Sequence, residues 1–322
     1  MIYADNSATA AFAACKTKAI VRYGLGYTSI AESVSMAVGR AAHAALDTYL
    51  RGGATEKAQK SAMGRYLVEY TNHVEGGEEI EERLSLENTS TVLEKWFEAH
   101  REDQLLFYLD SADFEQDVAV KLDDGICPEI TFLGRLDGIA KLKHNGKWCV
   151  IEHKTTGFVN SYWSSQWHTS SQLTGYMWAA SQILGEPVMG CLVDAIEFSL
   201  LPGDPVRKCK KHGVTYRECK KEHAKWEWIN VTRAPWQIEQ WKRDFSRLAM
   251  AYGKALETVN ADPLYCIDEL PMDGTFTGAC RFCELKDFCG MGRGKNLMPL
   301  LLKHDPWELS MAAKWEKKGE NE

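Results

Sequence analysis

Residues 131–157 decide the fold, and they read TFLGRLDGIAKLKHNGKWCVIEHKTTG. Two apolar runs with strand-like composition lie on either side of Asn145-Gly146. An Asn-Gly pair between two such runs is the strongest short signal for a β-hairpin. We therefore predict a hairpin over residues 131–152.

The second strand of this hairpin ends in charged side chains. Glu152 and Lys154 share one face, because side chains alternate along a strand with period two, and Asp137 on the partner strand can approach that face. Two carboxylates at a sheet end suit Mg²⁺ or Mn²⁺, and a neighbouring lysine can orient water or neutralise charge on a phosphoryl group. The alternative is an ordinary surface Glu–Lys pair, because an acid followed by E-x-K recurs by chance.

Periodicity places this hairpin inside an α/β core with a helical front. Helical spacing of apolar residues predicts helices over residues 29–50, 57–70, 90–100, 170–184 and 236–259. Strand-like composition predicts further strands over residues 105–108, 114–122, 188–198 and 226–231. The order of these elements favours a sheet with helices packed against it.

Composition limits the classes of function. The chain has 322 residues, of which 45% are hydrophobic, and 38 Lys and Arg against 45 Asp and Glu give a net charge of −7. It has no apolar run of membrane-spanning length, and its N-terminus lacks a secretory signal, so we expect a cytoplasmic protein with no membrane partner. Bulk charge gives no reason to expect nucleic-acid binding, so such binding needs a local patch. Residues 207–225 are rich in Lys and Arg, although such a run is usually a solvated surface.

Four short motifs together resemble one known family. They match, in order, the G-x-x-x-H, G-x-x-D, E-x-K and Q-x-x-x-Y motifs of the PD-(D/E)XK nuclease superfamily, and most closely its RecB-like exonuclease branch. The matching residues are Gly39 and His43, Gly134 and Asp137, Glu152 and Lys154, and Gln172 and Tyr176. The likeness extends from about residue 5 to residue 292.

This resemblance implies a restriction-endonuclease-like core, with a mixed central sheet flanked by helices. It implies that a divalent metal is held by the side chains of His43, Asp137 and Glu152 and by the backbone carbonyl of His153. An imidazole ligand raises tolerance for Mn²⁺. Lys154 would position the attacking water in an in-line hydrolysis of a phosphodiester.

The resemblance also gives a role to the helix that follows the hairpin. Gln172 and Tyr176 share a helix face, and beside a phosphodiester site an amide and a phenol could hold the DNA backbone. Without that context, the pair would mark a boundary between core and solvent.

Ten cysteines in a chain without a secretory signal favour buried or metal-bound thiols. Cys280, Cys283 and Cys289 lie within ten residues, and Cys15 is a distant fourth. Structural zinc usually takes two close pairs of ligands, which this spacing does not offer. The spacing resembles the four-cysteine [4Fe–4S] arrangement of AddB-type and CRISPR-adaptation nucleases of the same branch. Such a cluster would clip the first helix to the C-terminal loop, and zinc or reduced buried thiols are the alternatives.

A second set of metal-ligand residue types lies inside the basic segment. Cys209, His212, Cys219 and His223 have spacings compatible with a small zinc hairpin, although coincidence in a lysine-rich stretch is the favoured interpretation.

We expect four parts in the chain: a helical N-terminal part (1–104), a nuclease core (105–262), an Fe–S segment (263–295) and a charged tail outside the folded unit (296–322). The function that the resemblance implies is a Mg²⁺- or Mn²⁺-dependent DNA exonuclease, acting at ends or on single strands in recombination, repair, or phage or CRISPR DNA processing. A non-catalytic DNA-end-binding scaffold and a restriction-type endonuclease are the alternatives. The chain has no Walker A motif, so a helicase or a single-strand annealing or recombination protein would be its partner.

Overall fold

The computed structural model describes residues 2–30, 33–74, 80–122, 130–201, 206–215, 219, 223–261, 267 and 270–307. The strands within these ranges are β1 (Ile2–Asp5), β2 (Tyr27–Ser29), β3 (Asp113–Leu122), β4 (Ile130–Lys141), β5 (Trp148–Thr156), β6 (Gly190–Glu197), β7 (Lys225–Thr232) and β8 (Leu302–His304). The predicted hairpin is confirmed: β4 and β5 pair antiparallel, and Gly146 in the connection has a φ of +67°.

Helices pack around these strands. They are α1 (Asn6–Ala14), α2 (Lys16–Lys18), α3 (Val34–Arg51), α4 (Glu56–Val74), α5 (Leu86–Ala99), α6 (Ser161–Ser165), α7 (Ser171–Leu184), α8 (Pro235–Ala261), α9 (Gly274–Thr277), α10 (Lys286–Gly290) and α11 (Met298–Leu301). A π-helical segment, Ala19–Gly24, follows α2 directly. Among the described residues, no helix has both the length and the apolar character that crossing a bilayer requires.

Six strands form one mixed sheet in the order β1-β4-β5-β6-β7, with β3 on the other edge of β4. The β1–β4 and β5–β6 pairs are parallel, and the β3–β4, β4–β5 and β6–β7 pairs are antiparallel. Strand β4 shares one of its edges between two neighbours: residues 130–133 pair with β1, and residues 138–141 pair with β5.

Apolar side chains bury both faces of this sheet. Helices α3, α4 and α5 cover one face, where Tyr49, Trp96 and Phe97 are fully buried. Helices α7 and α8 cover the other face, around Phe132 and Trp241. The mixed central sheet flanked by helices agrees with the predicted fold class.

A third apolar cluster joins the two ends of the chain. Phe12 from α1 and Ile20 from the π-helical segment lie in the same cluster as Phe288 from α10, Leu302 from β8 and Tyr252 from α8. Strand β8 also pairs antiparallel with β2.

The predicted boundary at residue 295 is therefore wrong as the end of the folded unit. The described residues that follow it include α11 and β8, which pack against the N-terminal part because their leucines are apolar and β8 pairs with β2. The rest of the predicted tail, 308–322, lies outside the described residues, as do 262–266 and 268–269 near the start of the cysteine-rich segment.

Two further local predictions are wrong. Residues 105–108 do not form a strand, because only Phe107 makes an isolated bridge, to Leu142, before a 3₁₀ turn over Leu109–Ser111. The chain also opens with a strand rather than a helix, since β1 pairs parallel with β4 before α1 begins. In both places, non-local pairing decides the structure of a run that is too short for periodicity to classify.

Candidate active site

The predicted acidic residues meet where β4 passes from one neighbour to the next. Residues 134–137 of this edge belong to neither the β1 ladder nor the β5 ladder. Gly138 pairs with Ile151 at the end of the β4–β5 ladder, and Asp137 and Glu152 are the next residues on the two strands. We call the gap between the two ladders the β4 split. Backbone N–H and C=O groups that border this gap have no partner in a neighbouring strand. They can therefore bond to side chains or ions instead.

Asp137 links β4 to β5 across the split. Its Oδ2 accepts a hydrogen bond of 2.8 Å from the backbone N–H of His153. In an extended strand, the N–H and C=O of one residue point to the same edge. The carbonyl of His153 therefore faces the split as well, where the family resemblance places a metal ligand.

Helix α3 brings an imidazole to the same carboxylate. Gly39 allows this approach, because a Cβ there would lie 3.3 Å from Oγ1 of Thr155 on β5. One turn later, Nδ1 of His43 lies 3.5 Å from Oδ1 of Asp137. Burial lowers the pKa of His43, but the Asp137 carboxylate raises it more, so the net shift is upward.

The structure adds a residue that the sequence motifs missed. Glu115 on β3 stands opposite Asp137 in the register, but the ladder is interrupted there and Glu115 has a left-handed φ of +48°. Its carboxylate forms, with His43 and Asp137, a group whose ligand atoms all lie within 4.8 Å of one another. Burial, and then the charge of Asp137, raise the pKa of Glu115. The only signal in the sequence was an acid on the strand before the hairpin. The register of that strand against β4 could not be predicted from the sequence.

Glu152 approaches the split from the opposite face of the sheet. Its Oε1 accepts hydrogen bonds from Lys154 Nζ at 2.5 Å and from Gln172 Nε2 at 3.0 Å. Its Oε2 is buried and has no hydrogen-bond partner among the residues that the structure describes. Burial raises the pKa of Glu152 above its ordinary value, although the ammonium of Lys154 lowers it.

Helix α7 supplies the groups around Glu152. Gln172 Nε2 also lies 3.1 Å from the hydroxyl oxygen of Tyr176, whose side chain is buried. Burial raises the pKa of Tyr176 well above its ordinary value, so the phenol is neutral. Both residues thus stand against Glu152, and their predicted contact with the DNA backbone stays a prediction.

The predicted metal ligands fall into two subsets. His43 and Asp137 gather with Glu115 on the α3 side, and Glu152 lies across the split, outside that 4.8 Å group. The acids therefore face the same gap from two sides. The residues fit a hard divalent cation, because the gap is lined by carboxylates and an imidazole and contains a buried carboxylate oxygen, Oε2 of Glu152, without a partner.

A buried polar network supports the strand that carries the split. His153 points away from Glu152, and its Nδ1 lies 2.9 Å from Oδ2 of Asp194 on β6. The other oxygen of Asp194 accepts a hydrogen bond from Trp96 Nε1 at 3.2 Å. Because Asp194 is fully buried, these bonds fix the position of β5 against β6 and α5.

The four cysteines predicted to form a cluster lie together. A Cβ on Gly274 would come within 3.1 Å of the Cys280 sulfur and 3.5 Å of the Cys15 sulfur, so only glycine fits there without displacing them. Burial raises the pKa of Cys289, and the neighbouring thiols of Cys283, Cys15 and Cys280 add to that rise. All four thiols are free, so no disulfide joins them.

The spacing of these thiols is wider than one ion requires. Among the described residues, the four cysteines do not form a group of three or more ligand atoms within 4.8 Å. A tetrahedral zinc ion with bonds of about 2.3 Å would hold its sulfur ligands about 3.8 Å apart. A cluster that carries several irons needs more space between its thiolates. The ligand atoms of Cys209, His212, Cys219 and His223, by contrast, all lie within 4.8 Å of one another.

Comparison with known proteins places these observations in one family. A comparison with curated proteins finds no match. Among the solved structures that match, the crystal structure of SSO0001 is 18% identical, with a TM-score of 0.29. That match covers 56% of this chain and 61% of the other. The model of the PD-(D/E)XK nuclease superfamily matches residues 6–290, which include the split, the four motifs and the C-terminal cysteines. This chain belongs to the PD-(D/E)XK nuclease superfamily.

Proposed function

We propose that this protein is a Mg²⁺- or Mn²⁺-dependent deoxyribonuclease, and most specifically an exonuclease that acts at DNA ends or on single strands. The observation that carries the proposal is the convergence of Asp137, Glu152, Lys154 and His43 on one gap in the sheet. Recombination, repair, or phage or CRISPR DNA processing would use such an activity.

The metal would be held from both sides of the split. His43, Asp137 and the carbonyl of His153 would bind it on one side, and Oε2 of Glu152 on the other. Glu115 joins this ligand set, because its carboxylate is within 4.8 Å of the His43 and Asp137 ligand atoms. A bound divalent cation would lower the pKa of a water molecule and offset charge on the phosphoryl group.

Lys154 would act on the water and on the developing charge. Its ammonium is held by Oε1 of Glu152 and lies 5.6 Å from the centre of the Trp167 ring, so its position is restricted before substrate arrives. Burial lowers the pKa of Lys154, but Glu152 and Asp137 raise it more, so the group stays charged. A fixed ammonium stabilises a phosphoryl transition state without reorganisation.

Gln172 and Tyr176 would keep Glu152 in position. The Gln172 amide donates to Oε1 of Glu152, so Oε2 would be the oxygen that binds the metal. We retain the proposal that these two residues also contact the DNA backbone. Gln172 is partly exposed and is the better placed of the two for that contact.

A [4Fe–4S] cluster is the group that we propose for Cys15, Cys280, Cys283 and Cys289. Their mutual proximity, their free thiols and their spacing beyond single-ion distance support it. The ligands come from the start of α2 and from the C-terminal segment, so the cluster would join the two ends of the chain.

Two other functions would use the same fold. A non-catalytic end-binding scaffold would have no chemical need for His43, Asp137, Glu152 and Lys154 together. A restriction-type endonuclease would share the hairpin, but it would need neither the α3 histidine nor the cysteine set. Because the chain contains no Walker A motif, a helicase or a single-strand annealing or recombination protein is the partner that we propose.

Substrates with and without ends distinguish these functions. Purified protein would be incubated with end-labelled single-stranded and double-stranded linear DNA, and with covalently closed circles, in Mg²⁺, Mn²⁺ or EDTA. We expect the linear substrates to be degraded with either metal, and the circles and EDTA samples to stay intact. Cleavage of circles would assign an endonuclease, and metal-independent binding of ends without cleavage would assign the scaffold.

A further inference from the structure

The segment 206–223, which lies between β6 and β7, contains a second cluster of metal-ligand side chains, separate from the cysteines treated above. The structure describes residues 206–215, 219 and 223 of it. We propose that Cys209, His212, Cys219 and His223 bind one structural Zn²⁺ ion in a tetrahedral Cys₂His₂ site. This site reverses the interpretation favoured from the sequence, which was coincidence.

The distances between the ligand atoms match a tetrahedron around one ion. Zinc bonds of about 2.3 Å to sulfur and 2.0–2.1 Å to nitrogen require a sulfur–nitrogen separation of about 3.5 Å. Cys209 Sγ lies 3.5 Å from His212 Nδ1 and 3.4 Å from His223 Nε2. Cys219 Sγ lies 3.3 Å from the same nitrogen of His223. All four ligand atoms lie within 4.8 Å of one another.

Thiol–imidazole hydrogen bonds alone explain this arrangement less well. One ring nitrogen carries either a single lone pair or a single hydrogen, so it makes one in-plane hydrogen bond. Nε2 of His223 has two thiols at 3.3–3.4 Å. An ion at the centre of the four atoms satisfies all of these contacts at once.

The segment also lacks an apolar core that would otherwise hold it together. Among its described residues only Cys209 and Cys219 are buried, and the two valines point outward, with Val206 82% and Val214 42% exposed. A short segment whose only buried side chains are metal-ligand types gains its stability from the ion.

The backbone presents the ligands in a tight turn. Gly213 has a φ of +73°, its N–H donates to the carbonyl of Cys209 at 2.8 Å, and Lys208 bridges to Thr215. The N–H of Cys209 donates to the carbonyl of Val214, also at 2.8 Å. This turn directs the sulfur of Cys209 and Nδ1 of His212 to the same side, and the left-handed position favours glycine.

Two thiolates and one Zn²⁺ ion together have no net charge, so they can be placed in a basic segment. The neighbouring residues Arg207, Lys208, Lys210 and Lys211 are exposed cations. The ion would therefore fix the course of a basic loop without adding to its positive charge.

Metal analysis of the full-length protein tests this site separately from the C-terminal cysteines. We expect about one zinc per chain in the wild type, less than about one-tenth in Cys209→Ser, and an unchanged zinc content in Cys280→Ser. Lys210→Ala is the matched control, because it alters an exposed neighbour in the same turn and should keep its zinc. Zinc retained by Cys209→Ser, or lost from Cys280→Ser instead, would overturn the assignment.

Cobalt titration of metal-depleted Cys280→Ser protein tests the site apart from the other cysteine set, whose thiolates would add bands of their own. Binding of Co²⁺ should give the visible bands of a tetrahedral ion and a thiolate charge-transfer band in the near ultraviolet, and Zn²⁺ should displace it at equimolar amounts. Absence of these bands, together with no zinc in the purified wild type, would show that the four side chains only bond to one another.

Discussion

Glu152 is the residue on which the proposed chemistry depends most directly. Its side chain is only 2% exposed. One of its oxygens bonds to Lys154 and Gln172, and the other has no partner within the described part of the chain. An uncompensated buried carboxylate oxygen is costly, at roughly 1–3 kcal/mol or more for a charged group. In the proposed site, a bound cation would offset that cost.

His43 gives the first prediction at this scale. We expect His43→Ala to weaken Mn²⁺ binding about tenfold or more, because it removes an imidazole ligand, while the free energy of unfolding changes little. Val38, Ala42 and Leu46 on the same helix stay buried and keep α3 docked. Calorimetric titration with Mn²⁺ measures the first effect, and denaturant unfolding in EDTA measures the second.

His144→Ala is the matched control, because it removes an exposed imidazole from the hairpin turn at the far end of the strands. An Mn²⁺ dissociation constant that is the same in His43→Ala, His144→Ala and the wild type would make His43 an ordinary packed residue.

At the scale of elements, the backbone of β3 is distorted at an acidic residue. Glu115 has a left-handed φ of +48° in the middle of a strand, whose neighbours Phe114 and Gln116 keep regular register with β4. Such a conformation costs a non-glycine residue about 1–2 kcal/mol. Strain of this kind is typical of functional sites. Here it coincides with the one carboxylate that joins His43 and Asp137.

The variant Glu115→Gly distinguishes the effect of backbone strain at this position from the effect of losing a metal-binding carboxylate. Glycine accepts the left-handed backbone, so we expect the free energy of unfolding in EDTA to stay within about 1 kcal/mol of the wild type. Mn²⁺ affinity should fall several-fold, because a carboxylate is lost. Glu239→Gln on the surface of α8 is the control, because it removes an exposed carboxylate away from the split and should leave both quantities unchanged. Unaltered Mn²⁺ affinity in Glu115→Gly would remove Glu115 from the ligand set.

The elements that the sequence predicts are those whose signals are local. The hairpin follows from Asn145-Gly146, and α3 and α7 follow from apolar spacing, so Asp137, Glu152, His43 and Gln172 could be placed on their elements in advance. Strand β1 and the split could not be predicted, because four residues carry no periodicity and their pairing with β4 is non-local. The position of Glu115 depends on a strand register and a backbone distortion that no residue pattern specifies.

At the scale of the whole molecule, the two chain ends are packed as one unit. Strand β2 pairs with β8, and Lys16 at the start of α2 forms an ion pair of 2.9 Å with Asp273 in the cysteine-rich segment. Helix α1 begins directly after β1, which borders the split through its pairing with β4. Loosening the ends would therefore also loosen one wall of the candidate site.

Cys15 tests this connection. Anaerobically purified wild-type protein should be brown and contain iron, and Cys15→Ala should lose both the colour and at least about 2 kcal/mol of stability, the scale of a cross-link that closes a long loop. Cys191→Ala is the control, because it also removes a buried thiol but lies outside the cysteine set, so it should stay brown. Stoichiometric zinc without iron at these cysteines, or a brown Cys15→Ala protein with an unchanged melting temperature, would contradict the cluster.

The most direct test of the central claim, that the β4 split is a metal-dependent nuclease site, is single-turnover cleavage of end-labelled linear DNA in Mn²⁺. We predict that Glu152→Ala abolishes cleavage and that Lys154→Ala slows it by roughly 10²-fold or more, while both variants keep the circular dichroism spectrum of the wild type. Lys147→Ala, an exposed residue just before the same strand, should cleave at the wild-type rate. Wild-type rates in Glu152→Ala and Lys154→Ala would show that the reaction, if any, takes place elsewhere.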